Sequence, residues 1–439
     1  MPGAAMMPRV SFRERVQHAG EALSKQPHLN CVRDGVVGSL PLILLGSLFL
    51  LLGQPPFPAL ARFLPPAPLM LGAARALTGV VSIFACAATA LSLARRREAD
   101  PAASVTVSLA VFLLGQHQAP LAAGGQGLPL VGLGAGGLFF GFLSAIFCVE
   151  TIAFFKRRGW GIKLGGGAPD VIVRSFAALL PTAVCVIAIW FVVYALDIDV
   201  AQGIANLFRP LVRGSDALPA LILIVLIDSS LYLVGIHPLS VLSAAKPLWL
   251  AALAENMQAV LAGQPPPHLA TQEFFIWFTW QGGTGTTLAL ALLLLRARSQ
   301  QLKLVGRAGF LPALFNINEP LLFGTPVVMN GKLAVPFILT PVVLVTMSWG
   351  AMRLGLVRPP YIEVVWTLPA PVGAYLSTGG DVHALVLQAA NLLVALAIWW
   401  PFVRRYDRAL LEREKRASAE LPSGQGVPLN AATRRSPGA

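Results

Sequence analysis

Long stretches without a single charged side chain, each approaching the length that spans a bilayer, constrain this chain more than any other feature. Residues 40–52, 176–196 and 333–347 are three of them, and roughly 20 apolar residues in a helix match a hydrocarbon core about 30 Å thick. A soluble chain of this length would divide its apolar residues into periodic faces. Here 56% of 439 residues are hydrophobic and only 12% are charged, against about 25% charged in a typical soluble domain. Water is not the main solvent, and the lipid bilayer is the expected surrounding.

The first apolar run begins near residue 35, behind an amphipathic stretch with Val10, Phe12, Val16, Leu23 and Leu29 among charged residues. That stretch suits a membrane surface. No small-residue cleavage pattern follows the run, so the first span is expected to remain in place. The net charge of +13 sits in short clusters between spans, not on one face of a compact domain, which argues against a nucleic-acid partner. Arg95 to Arg97, Lys156 to Arg158, Arg296 to Arg307 and Arg404 to Arg416 would share one side under the positive-inside rule, the cytoplasmic one. Cys31, Cys86, Cys148 and Cys185 lack the paired spacing of a metal site or disulfide framework and read as packing residues. No metal site and no cofactor are expected.

Crossings that satisfy the charge clusters fall at about 34–53, 72–94, 103–115, 129–155 and 171–195, the last ending outward at Asp197 and Asp199. The second half is less regular. Apolar segments at 218–236, 241–262, 274–295, 309–329, 333–355, 361–377 and 384–402 are interrupted by Gly282-Gly283-Thr284-Gly285 and by Asn316-Ile317-Asn318-Glu319-Pro320. Non-helical backbone survives at membrane depth only where protein or a wet cavity satisfies it, and broken helices of this kind mark transporter binding sites. The expected fold is an all-α polytopic membrane protein, with re-entrant segments in the second half and a polar tail after about 412.

Glu319 stands in an otherwise apolar stretch, and an ionisable residue there is a functional candidate by default. A carboxylate accepts two hydroxyl hydrogen bonds at once, and Asn316 and Asn318 add amide donors and acceptors; this is chemistry suited to a sugar. A structural carboxylate paired with Lys or Arg would leave the same trace. His237 ends an apolar run and offers one donor and one acceptor, although a satisfied core histidine reads alike. Gly282, Gly283 and Thr284 would let backbone approach a ligand closely. Trp280 and Trp366 suit stacking on a sugar ring, or an interfacial belt. Asp228 and Lys246 are further ionisable residues in apolar context, as consistent with an internal ion pair as with transport.

The stretch Phe315-Asn316-Ile317-Asn318-Glu319-Pro320-Leu321-Leu322-Phe323-Gly324-Thr325-Pro326 is similar almost residue for residue to the signature of the lactose/cellobiose/diacetylchitobiose class of enzyme IIC, the membrane component of bacterial phosphotransferase systems. Val32-Arg33-Asp34-Gly35, Leu40-Pro41-Leu42-Ile43, Gly235-Ile236-His237, Trp366-Thr367-Leu368-Pro369 and Pro401-Phe402-Val403-Arg404-Arg405-Tyr406-Asp407 continue the resemblance. It implies about ten transmembrane helices, two re-entrant hairpins and amphipathic interface helices. The implied division is a cytoplasmic amphipathic segment (1–30), a dimerisation half (31–215), a transport half (216–411) moving like an elevator, and a disordered cytoplasmic tail (412–439).

The resemblance also implies that Glu319 and His237 contact a sugar hydroxyl near the one that receives phosphate. The phosphoryl group would come from a cysteine on a separate IIB protein, itself served by a IIA protein. The expected assembly is a homodimer in the bacterial inner membrane with both termini cytoplasmic, carrying a small oligosaccharide. Pro238, Lys246 and Gly331 depart from the family's usual residues near the site. They keep a rival open, a membrane sugar sensor or uncoupled facilitator. A channel is disfavoured, since no ring-forming filter motif occurs.

Overall fold

The computed structural model describes residues 26–55, 62–120, 126–128, 130–162, 170–233, 235, 238–242, 245–325, 327 and 331–420. Residues 1–25, His237 and the stretch beyond 420 lie outside the described residues. Helix α1 (Pro27–Gly53) starts where Gln26 accepts a hydrogen bond from the Leu29 amide with Pro27 in the first turn, a pre-organised helix entry. Then follow α2 (Ala67–Thr78), α3 (Val81–Arg96), α4 (Pro101–Leu114) and α5 (Leu138–Arg158). Helix α6 (Asp170–Trp190) continues through a π turn, and α7 (Val200–Ser215) is capped by Asp199. A two-residue antiparallel ladder, Ala119–Pro120 on Gln126–Gly127, is the only strand pairing among the described residues.

Helices α3, α4, α5 and α6 share one apolar core, in which all four cysteines are fully buried. Side chains scattered along the sequence therefore meet as small packing groups, as expected. The arginine cluster after α3 is more than an orientation signal. Arg96 pairs with Asp34 at 2.8 Å, and Arg97 with Glu150 at 2.6 Å, while His28 Nε2 lies 2.8 Å from the same Glu150. These bonds tie the ends of α1, α3 and α5.

The second half comprises α8 (Leu218–Leu233), α9 (Lys246–Leu261), α10 (Gln272–Phe278), α11 (Thr287–Leu295), α12 (Gln300–Leu314), α13 (Glu319–Gly324), α14 (Gly331–Arg353), α15 (Ala370–Ser377) and α16 (Val382–Glu420). Among the described residues, six helices are long and apolar enough to cross a bilayer, or seven if α7 and α8, bent by 76° at their joint, count as one. The segment at 103–115 is α4, whose 14 residues reach only about 21 Å. The segment at 274–295 is two short helices around a break. The stretch 361–369 is non-helical, and only the eight residues of α15 follow it as helix. Helix α16 runs to Glu420, into the stretch expected to be disordered. Glu414 holds that extension by accepting from Ser299 Oγ at 2.6 Å and from the Gln300 and Gln301 amides at 3.1 Å.

A mostly apolar seam joins the two halves: Val36, Ile43, Leu50, Ala74 and Phe142 meet Leu250, Leu253, Met257, Tyr361 and Ile362. Polar ties across it include Arg75 to the Leu261 carbonyl and the Glu363 amide to Ser47 Oγ, both at 3.0 Å.

The elbow between α7 and α8 is fixed by charge. Asp216 Oδ1 accepts from the Leu269 and Ala270 amides at 2.7 Å, while Oδ2 lies 2.7 Å from His268 Nδ1. On its other side His268 Nε2 meets Glu255 Oε2, also at 2.7 Å. Asn256 completes the joint by bonding the His268 amide and carbonyl and the Pro360 carbonyl, each at 2.8 Å. Burial works against the imidazolium, but the flanking Asp216 and Glu255 outweigh it and raise the pKa of His268 to about 9. Its folded pKa exceeds the ordinary value near 6.5. The elbow's contribution to stability is therefore complete below about pH 6.5 and is lost as pH rises through about 9. The thermal unfolding midpoint in detergent is expected to fall across that window, and His268→Gln to flatten the slope. Parallel pH profiles for the two proteins would contradict this assignment.

Candidate functional site

The helix that would have crossed at 274–295 is broken between Phe278 and Thr287, and in an apolar setting each freed carbonyl needs a donor. Side chains from several elements supply them. The Gln388 amide reaches the Trp277 carbonyl. Asn391 Nδ2 and Ser348 Oγ donate to the Phe278 carbonyl at 2.9 and 3.1 Å. Thr286 Oγ1 donates to Thr279 at 2.8 Å, Thr287 Oγ1 to Gly282 at 2.6 Å, Asn318 Nδ2 to Thr284 at 3.0 Å and Trp399 Nε1 to Gly285 at 3.2 Å.

The turn requires glycine. Gly283 has φ +98°, and a Cβ there would lie 2.6 Å from the Asn318 amide group; at Gly285, with φ +80°, it would meet the Phe337 ring at 2.2 Å. A second break, at 315–318, places Asn316 in the left-handed region with φ 62°. Asn316 Oδ1 accepts from the Gly282 amide at 3.0 Å, and its Nδ2 donates to the Trp366 and Leu368 carbonyls at 2.8 and 3.1 Å. One asparagine thus clasps three irregular segments that are distant in sequence.

Between these segments lies a cavity of about 280 Å³, near the lower end of small-molecule sites, which run from about 300 to 1,000 Å³. Glu319, Asn316, Asn318, Gly283, Thr284, Trp280 and Trp366 line it, as do Asp228, Tyr232, Lys246, Trp249 and Gln272. Nine of the eleven residues singled out from the sequence, Asp228 and Lys246 included, therefore converge. Gly282 stands behind the wall and gives its amide to Asn316, and His237 lies outside the described residues. Trp280 has one face stacked on Phe275, centroids 5.2 Å apart.

Asp228 is 4% exposed, yet its Oδ2 has no hydrogen-bond partner among the described groups. With Glu319 it gives the cavity two carboxylates against the single ammonium of Lys246, within a wall that includes Trp249, Trp280 and Trp366. This combination accepts hydroxyl hydrogen bonds and covers an apolar ring face. Tyr232 falls one helical turn after Asp228 on α8, the i, i+4 relation that places both on one face; that spacing was the available signal for it. Trp249 and Gln272 carried none. A larger cavity of about 490 Å³ lies elsewhere, between the ends of α5 and α6, walled by Phe155, Trp160, Ile162 and Pro181. None of the singled-out residues faces it.

Comparison with known proteins agrees with this geometry. The family described as "Phosphotransferase system, EIIC" matches residues 33–341. A putative permease IIC component of Bacillus subtilis (strain 168) is 35% identical over 420 residues, 90% of this chain and 94% of that one. The PTS system cellobiose-specific EIIC component of Geobacillus stearothermophilus is 34% identical, over 95% of this chain and 98% of its own length. Among solved structures, the transporter ChbC, the IIC component of the N,N'-diacetylchitobiose-specific phosphotransferase system, superposes with a TM-score of 0.83 at 32% identity, covering 92% of this chain and 99% of that one. Components of this class work with a B component, and some relatives are named EIICB, joining both parts in one chain. The helices, the cavity at their break and these matches agree: the chain belongs to the phosphotransferase-system EIIC family, as an integral membrane sugar permease component.

Proposed function

We propose that this protein binds a small oligosaccharide, a disaccharide of the kind named for its relatives, in the cavity between α8, α9, α13 and the glycine turn, and presents one hydroxyl for phosphorylation. The observation that carries this reading is Glu319, a carboxylate at a helix break on the wall of a small aromatic-lined cavity. Glu319 and His237 hold the hydroxyl and help to remove its proton as it attacks, while the protein supplies proximity rather than a covalent intermediate. The phosphoryl donor is a cysteine of a separate IIB protein, recharged by a IIA protein. The four cysteines of this chain are buried in the scaffold core, which supports a donor on another chain.

Residues 31–215 act as a dimerising scaffold and 216–411 as the moving part, in an elevator-type motion. The largely apolar seam between them supports this, since sliding along it breaks few directional bonds. The arginine-rich helix ends and both termini face the cytoplasm of a bacterial inner membrane, following the positive-inside rule. A second reading, a sugar sensor or uncoupled facilitator, draws on Lys246, which stands in the cavity wall where the family usually has asparagine.

Two substitutions test the proposal. In vesicles supplied with phosphorylated IIB, Glu319→Gln is expected to lower sugar phosphorylation by about 100-fold or more, the lower range for loss of a general base, while the protein remains folded. Phosphorylation at the wild-type rate would refute the assigned role. Wild-type protein that moves sugar without phosphorylating it would establish the second reading. Asp228→Asn is expected to weaken sugar binding by about tenfold, since a charge-assisted hydrogen bond is worth about 1.5–3 kcal/mol, and to leave the unfolding midpoint unchanged or raised. Calorimetric titration with a panel of mono- and disaccharides reads this directly, and unaltered affinity for every bound sugar would remove Asp228 from the site.

A further inference from the structure

Two carboxylates of α16, Asp407 and Glu414, hold the turn before α12 and its first residues, and a set of guanidinium groups beside Asp407 forms no ion pair with either. Asp407 accepts the Arg298 amide through both oxygens at 3.0 Å and the Ser299 amide at 2.8 Å, pinning the turn between α11 and α12 against α16. The same docking brings Arg296 and Arg298 of the turn beside Arg404 and Arg408 of α16. These four arginines, with Leu293 and Trp400, line a cavity of about 370 Å³. Among the described residues, none of the four guanidinium groups is paired with a carboxylate.

The contrast with the other basic cluster is informative, because Arg96 and Arg97 have their carboxylates at 2.8 and 2.6 Å. Asp407 also lines the cavity, so four guanidinium groups stand around one carboxylate that is turned to backbone amides; the excess positive charge and the planar forks match phosphate oxygens in sign and geometry.

The position of the cavity selects the source of that phosphate. From Val382 to Trp400, α16 rises about 27 Å at 1.5 Å per residue, close to the thickness of a hydrocarbon core. Trp400 is 52% exposed and its indole lies under the Arg404 guanidinium, 5.1 Å away, as an aromatic residue does at a membrane surface. The cavity therefore opens at headgroup level, with Leu293 and Trp400 on its hydrocarbon side and the arginines above. We propose that it is a binding site for the phosphate headgroup of an anionic phospholipid, on the face that the charge clusters assign to the cytoplasm, and that this lipid clamps the α11–α12 turn to α16. Basic pockets between membrane helices on that face suit anionic headgroups.

The test uses the full chain, purified and delipidated in neutral detergent, then offered phosphatidylglycerol or phosphatidylcholine, with retained lipid counted by native mass spectrometry. Phosphatidylglycerol is expected to be retained at least about tenfold more strongly. The double variant Arg298→Gln/Arg404→Gln is expected to lose that preference, while Arg95→Gln/Arg157→Gln, in basic clusters outside the cavity, keeps it. The unfolding midpoint of each variant establishes that it is folded. Equal retention of the two lipids, or equal loss in both double variants, would overturn the proposal. So would displacement of the lipid by an equal concentration of inorganic phosphate, which would mark a general anion site. A cavity variant that retains lipid normally but slows phosphotransfer from IIB would reassign the surface to a protein partner.

Discussion

Backbone that leaves the helix at membrane depth must find its hydrogen bonds within the protein, and the organisation of the second half follows from that requirement. An unsatisfied peptide group costs several kcal/mol in hydrocarbon, so the break at 279–286 exists only because side chains from α14, α16 and the two breaks themselves serve it. Asn316 is central among these: its oxygen takes the Gly282 amide and its nitrogen reaches the Trp366 and Leu368 carbonyls. Each segment it joins contributes to the cavity wall. The cavity is thus the space left where two helix breaks and a non-helical strap are fastened together, and its shape is as fixed as those bonds.

This arrangement also explains which parts of the site were legible in the sequence. The cost of charge in lipid singled out Glu319, Asp228 and Lys246 without any knowledge of the fold, and all three face the cavity. The asparagines were legible as polar and unusual, but residue type alone does not say what an amide bonds. Asn318 donates to the Thr284 carbonyl and is 3% exposed, and most of the hydrogen-bonding capacity of Asn316 goes to backbone. Gln388, Asn391 and Ser348, as polar as the residues singled out, serve carbonyls of the break and drew no notice, because nothing local distinguishes a backbone clasp from a ligand contact. Trp249 and Gln272 were invisible for the opposite reason: they are ordinary residues placed at the cavity by how α9 and α10 pack.

Hydropathy located the apolar segments well and their geometry less well. A run such as 361–377 does not span lipid as one helix: Tyr361 and Ile362 lie inside the seam between the halves and Ala370 and Ala374 in the core of the second half, while Val365, Trp366 and Val372 are exposed. Burial inside a membrane protein and burial in the bilayer select the same composition, so periodicity cannot separate them. The same ambiguity explains the extended α16. The charge of its last turns reads as a solvated tail until Glu414 is seen to hold the start of α12, a contact across more than a hundred residues that no local pattern encodes.

Charge performs two distinct tasks in this molecule, and sign alone does not separate them. The arginines at the end of α3 find carboxylates on α1 and α5 and so become internal struts of the first half. Those around the α11–α12 turn do not, because Asp407 is committed to backbone amides. A carboxylate that turns both oxygens to backbone amides, as Asp407 does to Arg298 and Ser299, makes no ion pair with a guanidinium beside it, so using Asp407 as a clasp leaves the neighbouring arginines in need of an external anion. The elbow at Asp216 resolves the same conflict internally. There too a carboxylate accepts backbone amides, from Leu269 and Ala270, but it keeps its second oxygen for His268 and so needs no outside partner. Each carboxylate serves two amides, so it is whether they occupy one oxygen or both that decides whether the neighbourhood is closed or open to a ligand.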